Sequence, residues 1–419
     1  MKILMPVVIM FCGLTAAIDS TFAQTWTQTS APSAPEDSFW LSIASSADGS
    51  KLVAAADFWA SYPFSFSTNS GFASTNSGDT WVLLPNPAGT ADRLFFVTLS
   101  ADGTKLAATS MYGFVYTSTN FGVTWTSNSL PSQNLIAIAS SADGDKLVTV
   151  VGMNPFFALV VWTNGPIYVS TNSGAAWTVT SAPTNYWSCV ASSADGTTLA
   201  AGTIGLNSQG YPAPGYLYVS TNAGATWLQT CAPTNEWSSI ASSADGTKLA
   251  AVAPWASIYT SADSGATWHS NNVPAIIWQA ITVSADGTKL AALDQYGHVY
   301  TSTNFGASWA SNGIPTQLTC WGMASSADGN MLVAIVLEGG IWVSQATPSP
   351  QLNIMPAGGN CTVSWLVPST NFVLQQNLDL TTTDWVTLTN TPMLNFTNLD
   401  DEVTLSPTNS SGFYRLVSQ

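Results

Sequence analysis

The chain has 419 residues, enough for a long repeat array plus a small module. Only 7% of its residues are charged, against about a quarter in ordinary globular proteins, and the net charge is −15 with eight Lys plus Arg and eighteen Trp. So few cations exclude a nucleic-acid or anionic-membrane surface, which needs clustered positive charge, and so much tryptophan excludes a disordered chain.

The N-terminus reads as a leader. Lys2 precedes an apolar run to Ala17, and Thr21-Phe22-Ala23 puts small residues where a signal peptidase reads them, so residues 1–23 are expected to be a signal peptide. Asp19 and the short run argue against a retained transmembrane helix, and Cys12 lacks the small residues that precede a lipidated cysteine. The mature chain is therefore expected to be secreted or periplasmic, with no transmembrane segment.

From residue 24 to 347 the chain repeats. The phrase SSADGTKLAA recurs with its Asp at 48, 102, 143, 195, 245, 286 and 328, at spacings of 41–42 or 50–54 residues. A period near 40 with strand-like content predicts an all-β, seven-bladed β-propeller. In the fourth copy the four strands are predicted at Trp187–Ser192, Thr198–Gly202, Tyr216–Ser220 and Thr226–Thr230. Ala-Asp-Gly joins the first two, with Gly at positive φ, and an STNxGxTW phrase joins the last two. The seventh copy lacks its fourth strand. Residues 25–32, TWTQTSAP, match AWTVTSAP at 176–183, so the N-terminal strand is expected to complete that blade and close the ring.

A Pro/Ser-rich hinge, TPSPQ, separates the repeats from residues 348–419. Strands are predicted there around Cys361–Leu366, Phe372–Gln376, Trp385–Leu388 and Val403–Leu405, giving a small β-rich domain.

The STN phrases carry a resemblance. STNSGDTW (74–81), STNFGVTW (118–125), STNSGAAW (170–177), STNAGATW (220–227), SADSGATW (261–268) and STNFGASW (302–309) resemble the Asp-box, or bacterial neuraminidase repeat, of pattern S/T-x-D-x-G-x-T-W. Asn replaces Asp in all but Asp263. The resemblance implies a sialidase-like propeller scaffold and extends to photosystem II assembly-factor propellers. Those depend on a basic patch for which this chain lacks the cations. The tail resembles the small C-terminal β-sandwich of secreted Verrucomicrobia and Planctomycetes proteins, which would imply surface attachment or sorting.

By that resemblance the boxes are scaffold, and function falls on the opposite face, where long loops lie at 57–73, 152–165 and 203–215. These loops carry Phe58, Trp59, Tyr62, Phe64, Phe156, Phe157, Trp162 and Tyr211. Eight residues before four of the turn Asp stand Trp40, Trp187, Trp237 and Trp278, and Trp321 lies beside the equivalent Cys320. Exposed, these aromatics would stack on sugar rings; buried, they would wedge the blades together. A sialidase needs three arginines, and the repeats contain only Arg93, which excludes that chemistry. A two-carboxylate glycoside hydrolase of the xyloglucanase type stays open, with Asp57, Asp92, Glu236, Asp294 and Glu338, and also Glu36 and Asp37, as the face acids. Cys189, Cys231, Cys320 and Cys361 are scattered and read as buried free thiols. His269 and His298 read as solvated strand residues, so no metal site or cofactor is expected. Three functions remain open for what is expected to be a monomer: a module binding a neutral glycan or a protein, a glycoside hydrolase, and a structural envelope component.

Overall fold

The fold is built by one device repeated seven times: a polar turn locks two strands and reaches the next copy. In the first turn Asp48 Oδ1 accepts hydrogen bonds from the Ser46 hydroxyl and the Ser50 amide, while the Lys51 amide donates back to Ser46 Oγ. Gly49 supplies the positive φ that closes the hairpin. The computed structural model describes residues 25–32, 38–58, 71–87, 94–110, 113–131, 134–152, 163–316, 318–337, 339–346, 351–357, 360–367, 372–379, 381–406 and 412–418.

The described residues 25–346 form seven four-stranded antiparallel sheets. Their innermost strands are Ser38–Ser45, Leu94–Leu99, Leu135–Ser140, Trp187–Ser192, Ser239–Ser242, Trp278–Val283 and Cys320–Ser325, each in contact with the next and the last with the first. In the seventh sheet the N-terminal strand Trp26–Gln28 pairs antiparallel to Gly340–Gln345, with Trp26 opposite Ser344. Trp26 is buried in a core cluster that it shares with Leu332, Met323 and Val336. Blade 4 differs from expectation. Its second and third strands run Leu199–Leu206 and Pro212–Ser220, so most of the segment read as a loop extends the hairpin, turning at 207–211.

At the centre the turn alanines form a closed ring of backbone hydrogen bonds. Ala47 donates to Ala101, and the chain continues through Ala142, Ala194, Ala244, Ala285 and Ala327, whose amide returns to Ala47; all seven bonds are 2.7–2.9 Å. A lysine after five of the seven turns adds a second link, the other two having Thr198 and Met331 there. Lys51, Lys146, Lys248 and Lys289 donate from Nζ to the carbonyls of Asp102, Asp195, Asp286 and Asp328 in the following blades, and Lys105 pairs with Asp145 at 2.6 Å. A Cβ on Gly103, Gly144, Gly196, Gly287 or Gly329 would strike or crowd the lysine stem of the preceding blade. Four of the turn acids are lowered accordingly. Burial pushes Asp102, Asp195, Asp245 and Asp286 up, but serine and threonine hydroxyls, threonine amides and the adjoining lysine together outweigh it.

Beyond residue 350 two further sheets share a core of Val363, Trp365, Leu374, Val403 and Leu405. Their strands are Asn353–Ala357, Asn360–Leu366, Asp400–Leu405 and Met393–Asn395 in one sheet, and Val386–Thr387, Phe372–Asn377 and Phe413–Ser418 in the other. This unit packs Leu366, Val367, Leu394 and Leu399 onto the alanine ring. Two pairs of acids share the junction: Asp401 faces Asp48, and Asp400 faces Asp286. Burial and the charges of Asp48 and Asp400 push Asp401 up to about 6, against a weaker opposing hydrogen bond from Trp365. Burial likewise raises Asp400, with Ser364 opposing and the Glu402 and Asp286 charges adding.

Because the charged form of Asp401 is disfavoured when the units are packed, its contribution is most favourable below about 4 and is lost as pH rises through 6. The lowered turn acids act in the opposite sense, but only as pH falls below about 4. Thermal unfolding should therefore show a C-terminal unit more stable at pH 5 than at pH 7.5, with most of the difference absent in Asp401→Asn. An unchanged pH dependence in that variant would contradict the assignment.

Candidate functional site

The central channel is lined by alternate residues of the innermost strands, counted back from each turn Asp. Nearest the turns lies the alanine ring. Two residues back lies a ring rich in serine: Ser45, Ser140, Ser192, Ser242 and Ser325, with Leu99 and Val283 at the other two positions. These two layers enclose a cavity of about 280 Å³, into which Leu399 of the C-terminal unit projects as one wall. Two residues further is an aliphatic collar of Ile43, Ile138, Val190, Ile240, Ile281 and Met323.

Above the collar the strands bulge. The register slips after Trp40, Leu94, Leu135, Trp187, Trp278 and Cys320, at one and the same repeat position. A bulge re-aims the residue it contains. The residue before each bulge stays in the core, while Leu41, Ile136, Ser188, Gln279 and Trp321, the next alternate position beyond the collar, line the wall of a second cavity of about 470 Å³, where Phe96 and Ser238 fill the remaining blades. The turns beneath are near-copies of one another, yet this ring reads Leu, Phe, Ile, Ser, Ser, Gln, Trp. Variation at one position of an otherwise uniform repeat was the available signal for the site, and the sequence reading passed over it in favour of the adjacent tryptophans.

Those tryptophans are corrected by the structure. Trp40, Trp187, Trp237 and Trp278 are 0% exposed, which favours the wedge over the stacking platform, although Trp237 borders the cavity described above. Each ring meets the edge of an aromatic on the third strand of its own blade: Phe72, Tyr218, Tyr259 and Tyr300, at 5.2–5.5 Å. The Trp187 and Trp278 indoles donate to the carbonyls of Gly165 and Ala256 in the preceding blades. They are the wedges between blades, and their neighbours one residue later face the channel. Trp321 does line the cavity.

The acids divide. Glu236, half-buried, lines the cavity at its rim. Asp294, expected on the open face, is 1% exposed. Its carboxylate accepts the amides of Tyr296 and His298 and contacts His298 Nδ1 at 2.8 Å, which closes a turn and orients an exposed imidazole. Asp92 and Glu338, with Glu36 and Asp37, lie outside the described residues, as do Trp59, Tyr62, Phe64, Phe156, Phe157 and Trp162; Asp57 and Phe58 are described in backbone only. Glu236 is thus the one carboxylate in the cavity wall among the described residues. It makes no hydrogen bond or ion pair with any of them. Gln279, 7% exposed and in the same wall, is also without a partner among them.

The thiols are free. Cys189 and Cys320 are buried, burial raising both to about 12, with the Asp294 charge adding at Cys320, while Cys231 is exposed rather than buried. The open face carries three exposed aromatics on neighbouring blades: Tyr211, Trp255 and Tyr296. Trp255 follows Pro254, which lines the cavity, and holds φ at +62°.

Two of the solved structures similar to this chain cover about three quarters of it. One is YCF48 bound to D1 peptide, at 12% identity and a TM-score of 0.54, covering 78% of this chain and 96% of that one. The other is YCF48 from Cyanidioschyzon merolae, at 13% identity and 0.55, covering 76% and 98%. The chain shares their β-propeller fold. No family model matches the chain, and no curated protein matches it.

A left-handed conformation in a bulky residue costs on the order of 1–2 kcal/mol, and Asn adopts it more readily. Trp255→Asn should leave urea-unfolding stability unchanged or raise it by about 1 kcal/mol. A loss above about 2 kcal/mol would show that the ring is part of the packing.

Proposed function

We propose that the chain is a non-catalytic binding module that receives a segment of a partner polypeptide in the cavity above the aliphatic collar. The observation that carries this reading is the wall itself: apolar side chains on most blades, and on blade 6 the amide of Gln279, which lines the cavity and has no hydrogen-bond partner among the described residues. A primary amide carries both a donor and an acceptor, so an entering peptide group can pair with both its halves. The volume of about 470 Å³ falls within the ordinary range of ligand pockets. The propeller solved with a bound D1 peptide is a precedent for this use of the fold. The leader-like residues 1–23 support a working site outside the cytoplasm.

A glycan reading draws on Tyr211, Trp255 and Tyr296, whose exposed rings stand on neighbouring blades of the open face. It is the weaker of the two, because the four repeated tryptophans are buried in the wedge positions. Hydrolysis is weaker still, since the described residues offer one wall carboxylate where the chemistry needs two.

The test is a random peptide library and a polysaccharide panel offered to the purified chain and to Ser188→Trp, which fills the cavity from blade 4. The expected outcome is peptide retention that falls at least about tenfold in Ser188→Trp while its unfolding midpoint holds, with no sugar released. Retention indifferent to Ser188→Trp, or release of soluble sugar, would contradict the proposal.

A further inference from the structure

Resting on that reading, we infer that the cavity rim at blades 5 and 6 is a site for a single cation, the ammonium or guanidinium of a lysine or arginine side chain on the entering polypeptide. Glu236 takes the charge, and Gln279 takes an adjoining peptide group.

The first argument is an inventory of charge. Every described cation of the chain is already held elsewhere. Lys51, Lys105, Lys146, Lys248 and Lys289 lie at the turn end of the channel, each joined to the next blade's turn. Arg415 belongs to the C-terminal unit, where its guanidinium lies 4.2 Å from the centroid of the Trp385 ring and donates to Gln375. No described cation is joined to Glu236, which leaves its carboxylate in a largely apolar wall without a counter-charge. Partly desolvated carboxylates are stabilised by ionic hydrogen bonds more strongly than neutral groups are, so the complementary ligand is positive.

The second argument is the wall around it. Pro212, Pro254, Ile204 and Ile240 line the same cavity, which suits the methylene stem of a long cationic side chain. Gln279 is independent of the charge argument: it is more than nine-tenths buried, it faces the same space, and it has no partner among the described residues. An amide and a carboxylate on neighbouring blades thus match a peptide group and the charged side chain it bears. Trp255, exposed beside Pro254 on the blade that carries Glu236, adds an aromatic face of the kind that attracts cations. The net charge of −15 favours the approach of such a segment and disfavours acidic ones.

The test uses blocked heptapeptides of Leu, Ala and Ser with a central lysine, norleucine or glutamate, titrated by calorimetry against the purified chain at low and high salt. The lysine probe should bind at least about tenfold more tightly than the norleucine probe, and high salt should narrow the gap. Glu236→Gln should reduce lysine binding to the norleucine level and leave norleucine binding unchanged, while Ser188→Trp should weaken both. If lysine and norleucine bind alike, or Glu236→Gln changes nothing while Ser188→Trp still removes binding, the cation inference falls and the peptide reading stands. If no probe binds, or Ser188→Trp is without effect, both fall. Arg93 stands at the repeat position of Glu236 in blade 2 and lies outside the described residues. Lysine binding that is seen only in Arg93→Gln would assign Glu236 an internal partner and overturn the inference; equal binding with and without that substitution supports it.

Discussion

Seven backbone hydrogen bonds, passed from alanine to alanine around the channel axis, are the constraint on which the rest of the molecule depends. A bond of this kind contributes only about 1 kcal/mol net. Its effect comes from closure: Ala327 donates back to Ala47, so no blade can tilt or slide without breaking bonds on both sides. Seven alanine side chains converge there, with Leu366, Val367, Leu394 and Leu399 of the C-terminal unit packed on them. The uniformity of SSADGTK follows from this: the serine and aspartate fix the turn, the glycine makes it tight, and the lysine stem fills the space under the next turn.

That arrangement also decides the character of the opposite end. By holding five lysines at the turn end, the scaffold leaves the described open end without cations, and an acid there, Glu236, stands unpaired. At the turn end Leu399 of the C-terminal unit forms part of the channel wall. Between the two ends the channel passes from alanine through serine to aliphatic residues and then to a ring in which every blade is free to differ. The uniform turns and the variable ring are separated by a few residues along the same strands, and the recurrent bulge marks the division.

The repeat, its seven copies and the pairing of residues 26–28 with the last blade were legible because each is a matter of local pattern: periodic turns, alternation, and the likeness of TWTQTSAP to AWTVTSAP. The site was less so. Trp187 and Ser188 are neighbours in one strand and lie on opposite sides of it, the first in the core and the second, two residues before Val190, in the channel wall; alternation separates the two sides but does not say which of them faces the channel. Tryptophan drew the sequence reading because a large aromatic is costly to leave on a surface, yet that same cost is what buries it between blades. Asp294 was misplaced for a related reason. Its position in the chain matches the open face, but its carboxylate turns inward to cap two amides and His298. Gln279 gave no sign in the sequence, because an unpaired amide is a property of its surroundings.

The most direct measurement is amide hydrogen exchange on the seven turn segments of the full chain. A closed ring predicts that the amides of Ala47, Ala101, Ala142, Ala194, Ala244, Ala285 and Ala327 are all protected to the same depth and exchange only through global unfolding. Exchange at Ala327 or Ala47 that is faster than at the other five would mean that the junction opens by itself, and the account of a ring closed through that bond would be contradicted.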